Sequence, residues 1–141
     1  MYDKSIKVYN PGVKPTDWRM FFIPTEERIL NGGRIVLNDN VLQFKGCAVK
    51  GEDEIIVFDS KTKLIEGLVA KEIDSNGMVL SYAKSGNIYN EYITAGDFFD
   101  IPVSTSKNIS DYNQFDFIPL DGNAGTLSDQ FDSIKYNYYY F

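Results

Sequence analysis

The sequence offers 20 Asp and Glu side chains, no histidine and a single cysteine, so any chemistry would have to come from carboxylates, hydroxyls and lysines. Without histidine the chain lacks the commonest general base and transition-metal ligand, and every imidazole-centred triad with them. Cys47 has no second thiol for an intramolecular disulfide or a shared metal, which suits a reducing compartment, and its expected place is the core. Glu52-Asp53-Glu54 reads as a solvated acidic turn, because neighbouring residues of a turn rarely converge as hard-cation ligands. Asp74-Ser75-Asn76-Gly77 starts like a calcium loop but lacks its later acidic positions, and reads better as a hairpin turn. Gly32-Gly33 has neither phosphate-loop nor dinucleotide spacing. The serines have no histidine partner, and no lysine sits in a motif that would lower its pKa. A paired-carboxylate glycosidase stays formally open, although short turns leave little room for a cleft. The expectation is a protein that is not an enzyme, with no catalytic residue, cofactor or metal.

The elements that would carry these residues belong to one domain: 141 residues, 43% hydrophobic and 15% aromatic, are enough for an ordinary core. The formal charge of −6 is unevenly divided, with a net +3 over residues 1–50 and −9 over 51–141. That balance argues against nucleic acid, which needs clustered Lys and Arg. No apolar run is long enough for a membrane helix, and MYDKSIKVYN lacks the apolar region of a signal peptide, so a soluble protein made in a cytosol is expected.

Pro11, Gly12 and Pro15 break up the first segment. It ends in Trp18-Arg19-Met20-Phe21-Phe22-Ile23, which reads either as a buried strand or as a docking anchor of hot-spot residue types. Thr25 to Leu30 could form one helical turn, stopped by Asn31-Gly32-Gly33. Thereafter short apolar runs alternate with Gly, Asn and Asp turns: residues 34–37, 41–44, 47–49, 55–58, 64–70, 78–83 and 88–93 are read as strands. Asn76-Gly77 suggests a type I′ hairpin turn. The weak alternation of Met78 to Ala83 predicts burial on both faces or a bulge. Asp97 to Val103 would be an edge strand, since Pro102 cannot donate to a ladder. The tail after Ser104 ends in five aromatics among six residues, a patch that must be covered by its own domain or by a neighbour. The fold class expected is mainly β: a small β-barrel or β-tulip-like single domain with an extended N-terminal arm, residues 1–23, a core, 24–103, and an aromatic C-terminal extension, 104–141.

The stretch from Gly67 to Ile93 resembles the head decoration proteins of tailed bacteriophages, the lambda-type capsid-stabilising family. Gly67-Leu68-Val69-Ala70 matches a family strand, Asp74-Ser75-Asn76-Gly77 its acidic turn, and Gly86-Asn87-Ile88-Tyr89-Asn90-Glu91-Tyr92-Ile93 its closing segment. The likeness covers roughly residues 31–96. Asn87 stands where Glu is usual, and the chain continues for nearly fifty residues beyond the family's usual end. The resemblance implies a non-catalytic auxiliary capsid protein, a homotrimer on the exterior of the virion that staples the major capsid protein, with neither nucleic acid nor membrane as partner. It implies an N-terminal arm that adds a strand to the capsid subunit, assigned here to Val8, Tyr9, Trp18, Arg19, Phe21 and Phe22. Subunit contacts are assigned to Tyr136, Tyr138, Tyr139, Tyr140 and Phe141. Two other readings stand beside it: another phage particle component, such as a head-fibre base or tail adaptor, and a carbohydrate-binding β domain using Trp18, Tyr138 and paired carboxylates.

Overall fold

Side chains that alternate between interior and solvent write the strands of this protein into two facing sheets. The structure is a computed structural model, and it describes residues 4–24, 27–104, 113–120 and 131–136. In Trp18–Phe22 and Gly33–Leu37 every second residue is buried, the period of a strand with one face on a core. The strands are β1 (Lys4–Val8), β2 (Trp18–Phe22), β3 (Ile29–Leu30), β4 (Gly33–Leu37), β5 (Asn40–Phe44), β6 (Cys47–Ala48), β7 (Ile55–Asp59), β8 (Leu64–Ile73), β9 (Val79–Ile88), β10 (Ile93–Gly96), β11 (Asn113–Pro119) and β12 (Phe131–Tyr136). One five-stranded sheet runs β1-β11-β4-β5-β10 and the other β12-β2-β7-β8-β9, all neighbours antiparallel, with β3-β6 as a small third pair.

Aromatic rings join the two sheets. Phe22 of one sheet meets Phe44 and Phe117 of the other, and Phe58 meets Phe44, with centroids 4.8–6.0 Å apart. Trp18 meets Phe115 edge-on at 5.3 Å. Such pairs each add about 0.5–1.5 kcal/mol beyond burial. The mainly β fold is as expected, but the barrel is not closed: each sheet keeps two edges among the described residues.

Several expectations change. The segment read as an extended N-terminal arm is woven into both sheets, β1 pairing with β11 and β2 lying between β12 and β7. The segment read as an extension supplies β11, which sits between β1 and β4 inside a sheet, so residues 24–103 do not make a core by themselves. In place of a helical turn, Arg28 takes φ 61 and leads into β3. Asp97 to Val103 forms no ladder; its one β-bridge joins Ile101 to Thr16.

The β8-β9 hairpin turns at Asp74, whose carboxylate accepts the backbone N–H groups of Asn76 and Met78, both at 2.9 Å. Only Gly77 takes a positive φ, 82, whereas a type I′ turn would need Asn76 there as well. Register shifts between β8 and β9 settle the weak alternation in favour of bulges rather than two-sided burial. After Ile88 the chain leaves the second sheet through a single 3-10 turn, Asn90–Tyr92, and enters the first as β10, so residues 88–93 are a crossing rather than one strand.

Candidate functional site

The residues assigned to a docking arm do not form one surface. Val8, Trp18 and Phe22 are core residues. Trp18 also donates its indole N–H to the Phe99 carbonyl at 2.6 Å. Tyr9 is half-buried, and Arg19 and Phe21 lie on the outward face of β2, the guanidinium 5.8 Å from the ring. Alternation along β2 divides the cluster between core and solvent. Trp18, so enclosed, is no platform for a sugar either. Tyr136 belongs to β12, opposite Trp18, while Tyr138, Tyr139, Tyr140 and Phe141 lie outside the described residues.

What the fold does present is the far half of the β8-β9 hairpin. Among the described residues β9 is an edge strand, and its segment Val79 to Ala83 carries no charge. Met78, Leu80 and Ile73 are 67%, 62% and 59% exposed, and Tyr82 is 46% exposed. Natural edges are usually blunted by charge or proline; here Lys84 is the one charged side chain of β9, paired at 3.4 Å with Glu66. An apolar, hydrogen-bond-competent edge is a template for another polypeptide strand.

A buried polar cluster fixes the root of this hairpin. Glu54, expected on a solvated turn, is 1% exposed. Its Oε1 accepts the Tyr89 hydroxyl at 2.8 Å and its Oε2 the Asn87 side-chain amide at 2.6 Å. The Tyr89 oxygen in turn accepts the Lys50 backbone N–H at 3.0 Å. Arg28 donates through Nη2 to the carbonyls of Gly51 and Glu54, closing the loop before β7. Gly67 of β8 packs directly on the Glu54 carboxylate, and any side chain there would strike it. The burial of one carboxylate among three adjacent acidic residues depends on partners 33 and 35 positions away, which no local pattern announces.

Burial raises the Cys47 thiol to about 11, opposed by Lys50 and helped by Glu91, so it is a poor nucleophile. Burial likewise pushes the Tyr89 phenol to about 12; the Lys50 N–H opposes this and the Glu54 hydrogen bond adds to it. Both groups hold their protons longer folded than unfolded, so their contribution is complete below pH 9 and is lost as pH rises towards 11–12. The urea midpoint should therefore be flat up to about pH 9 and fall above it. Tyr89→Phe should remove the part of that fall above about pH 10, and cost about 1–3 kcal/mol at neutral pH by leaving the Lys50 N–H without its acceptor. A parallel pH profile in the variant would contradict this account.

At the other end of β8 lies a cleft of about 410 Å³ bordered by three segments: residues 14–17, 60–63 and 98–100. Among the described residues no group of three His, Cys, Asp or Glu could hold a metal ion, and no helix is long and apolar enough to cross a membrane. Comparison of the chain with protein-family models, curated proteins and solved structures gave no match.

Proposed function

We propose that the chain is a non-catalytic structural component of a tailed-phage particle, one that holds its neighbours by polypeptide contact, with the β8-β9 hairpin as its grip. The single observation that carries this is the charge-free, apolar edge Val79 to Ala83 beside the exposed Ile73 and Met78. Strand addition along β9 gives affinity through main-chain hydrogen bonds, and the Leu80 and Tyr82 side chains add apolar burial. Repetition of the contact in an oligomer would strengthen it without new chemistry.

The phage assignment rests on the resemblance between Gly67 and Ile93. Within that class we favour a tail adaptor or head-fibre base over a capsid decorator. Decoration of the lambda type calls for a free N-terminal arm, and residues 18–22 are an internal strand here. Capsid decoration, with the major capsid protein and further copies of this chain as partners, is the competing reading and would transfer the gripping role to the hairpin.

Immunogold labelling of separated heads and tails tests this. Label on tails or at a head vertex supports the adaptor reading; dense label over the whole head supports decoration; absence from particles overturns both. Met78→Ser, Leu80→Ser and Tyr82→Ser combined should change the unfolding free energy by no more than about 0.5 kcal/mol per substitution, because these side chains are exposed, while abolishing incorporation into particles. Normal incorporation of the triple variant would remove the hairpin from the account.

A further inference from the structure

The dipeptide Asn-Gly occurs twice in the chain, at Asn31-Gly32 and at Asn76-Gly77, and the fold treats the two differently. In this dipeptide the backbone nitrogen that follows asparagine can attack the asparagine side chain, because glycine has no Cβ to shield that nitrogen or to restrict the conformations that ring closure needs. Asparagine is for this reason among the thermolabile residues. Whether the reaction runs depends on room for the backbone to turn.

Asn31-Gly32 is enclosed. It links β3 to β4, and both flanks are paired, Leu30 with Cys47 and Gly33 with Phe44. A methyl group on Gly32 would stand 2.8 Å from the Phe44 carbonyl oxygen and 2.8 Å from the Gly46 nitrogen, so this backbone rests directly on the chain between β5 and β6. Asn76-Gly77 is open. Both residues are exposed at the tip of the β8-β9 hairpin, beyond the last ladder pair, Ile73 with Val79. Gly77 has φ 82, and nothing lies within 4 Å of a methyl group built on it. The hydrogen bonds that close the tip run through Asp74: its carboxylate accepts from the Asn76 and Met78 N–H groups, and its carbonyl accepts the Gly77 N–H at 3.1 Å. Bonds at an exposed tip open locally without unfolding the sheets, which frees the Gly77 nitrogen.

We propose that Asn76 is a site of spontaneous deamidation and that the fold withholds the same reaction from Asn31. When the tip opens, the Gly77 nitrogen loses its proton to solvent and bonds to the Asn76 side-chain carbonyl carbon. The bond from that carbon to the side-chain nitrogen breaks, and the nitrogen leaves as ammonia after taking up a proton. The five-membered succinimide so formed adds water at one of its two carbonyls and opens to aspartate or isoaspartate. Water is the only reagent, and nothing is oxidised or reduced. Either product sets a new carboxylate next to the exposed Met78 and Ile73. Isoaspartate also places an extra carbon in the main chain, so Gly77 and Met78 lose the spacing at which Asp74 accepts their N–H groups. If the hairpin is the grip, the reaction blunts it with the charge that natural edges carry; this consequence rests on that reading, whereas the modification does not.

The test is peptide mapping by mass spectrometry of the full-length chain held in warm, mildly alkaline buffer, folded in one arm and unfolded by urea in the other. In the folded chain Asn76 should convert at least about tenfold faster than Asn31, the difference between an exposed tip and an enclosed link. In urea the two should convert at similar rates, since the fold no longer separates them. Asn76→Gln should keep the folded spectrum, because position 76 is exposed and its φ is not left-handed, yet abolish conversion there, since the longer side chain would have to close a six-membered ring. Equal conversion of Asn31 and Asn76 in the folded chain overturns the proposal, and so does a folded chain in which Asn76 does not convert. Asn76→Asp, which carries the charge of the product, reads the consequence separately: reduced incorporation into particles supports it, and normal incorporation severs the modification from the grip.

Discussion

Deleting residues 1–23 should yield a chain that does not fold. The truncation removes β1 and β2, and with β2 goes the strand that joins β12 to β7. It also removes Trp18, Met20 and Phe22 from the middle of the core, where Phe22 touches rings of both sheets. Trp18→Ala alone should cost about 3–5 kcal/mol through the cavity left and the lost indole bond to Phe99. Against a typical total of about 5–15 kcal/mol, losing three such residues and two strands exceeds the stability of the whole fold. The measurement is urea unfolding followed by fluorescence and circular dichroism, with amide dispersion in the NMR spectrum of the truncated chain. A soluble truncated protein with a cooperative transition would return the segment to the role of a detachable arm.

Glu54→Ala should be the most damaging single change at a charged position. It leaves the buried Tyr89 hydroxyl without its acceptor, at about 1–3 kcal/mol, and the half-buried Asn87 amide without the same acceptor at a smaller cost. Gly67→Ala should reproduce much of the effect from the opposite side, because its new methyl group must displace the same carboxylate. The two losses should not add, since both act on one cluster. Hydrogen exchange gives the sharper readout: amides of β8 and β9 should exchange faster in either variant while β4 and β11 retain their protection, because the cluster ties the hairpin root and not the first sheet. Stability of Glu54→Ala within about 0.5 kcal/mol of the parent would mean that the cluster is incidental to the hairpin.

The strands between Arg34 and Ala83 were legible because their signals are local. Asn38 and Gly77 take left-handed conformations where turn residues were read, and runs such as Ile55 to Phe58 are strands where apolar residues of high β propensity follow one another. The ends of the chain were less legible for the same reason. The cluster at Trp18 has the composition of a core strand and of a docking anchor alike, and only its neighbours β7 and β12 distinguish them. Arg28 defeated the helical reading through a φ imposed by its tertiary hydrogen bonds to the loop before β7. The cleft was invisible because its walls come from residues 14–17, 60–63 and 98–100, none of which carries a motif.

The amino-acid sequence by itself determined that this chain builds antiparallel strands with short turns and that imidazole chemistry and an internal disulfide lie outside its means, since residue type and two-residue periodicity act within a few positions. Tertiary structure alone decided that the first and last segments complete the two sheets, that Glu54 is buried at the root of a hairpin whose tip is exposed among the described residues, and that three lysines border one cleft. Periodicity says that a strand has a face to cover, but what covers it comes from partners far along the chain, such as Phe115 against Trp18.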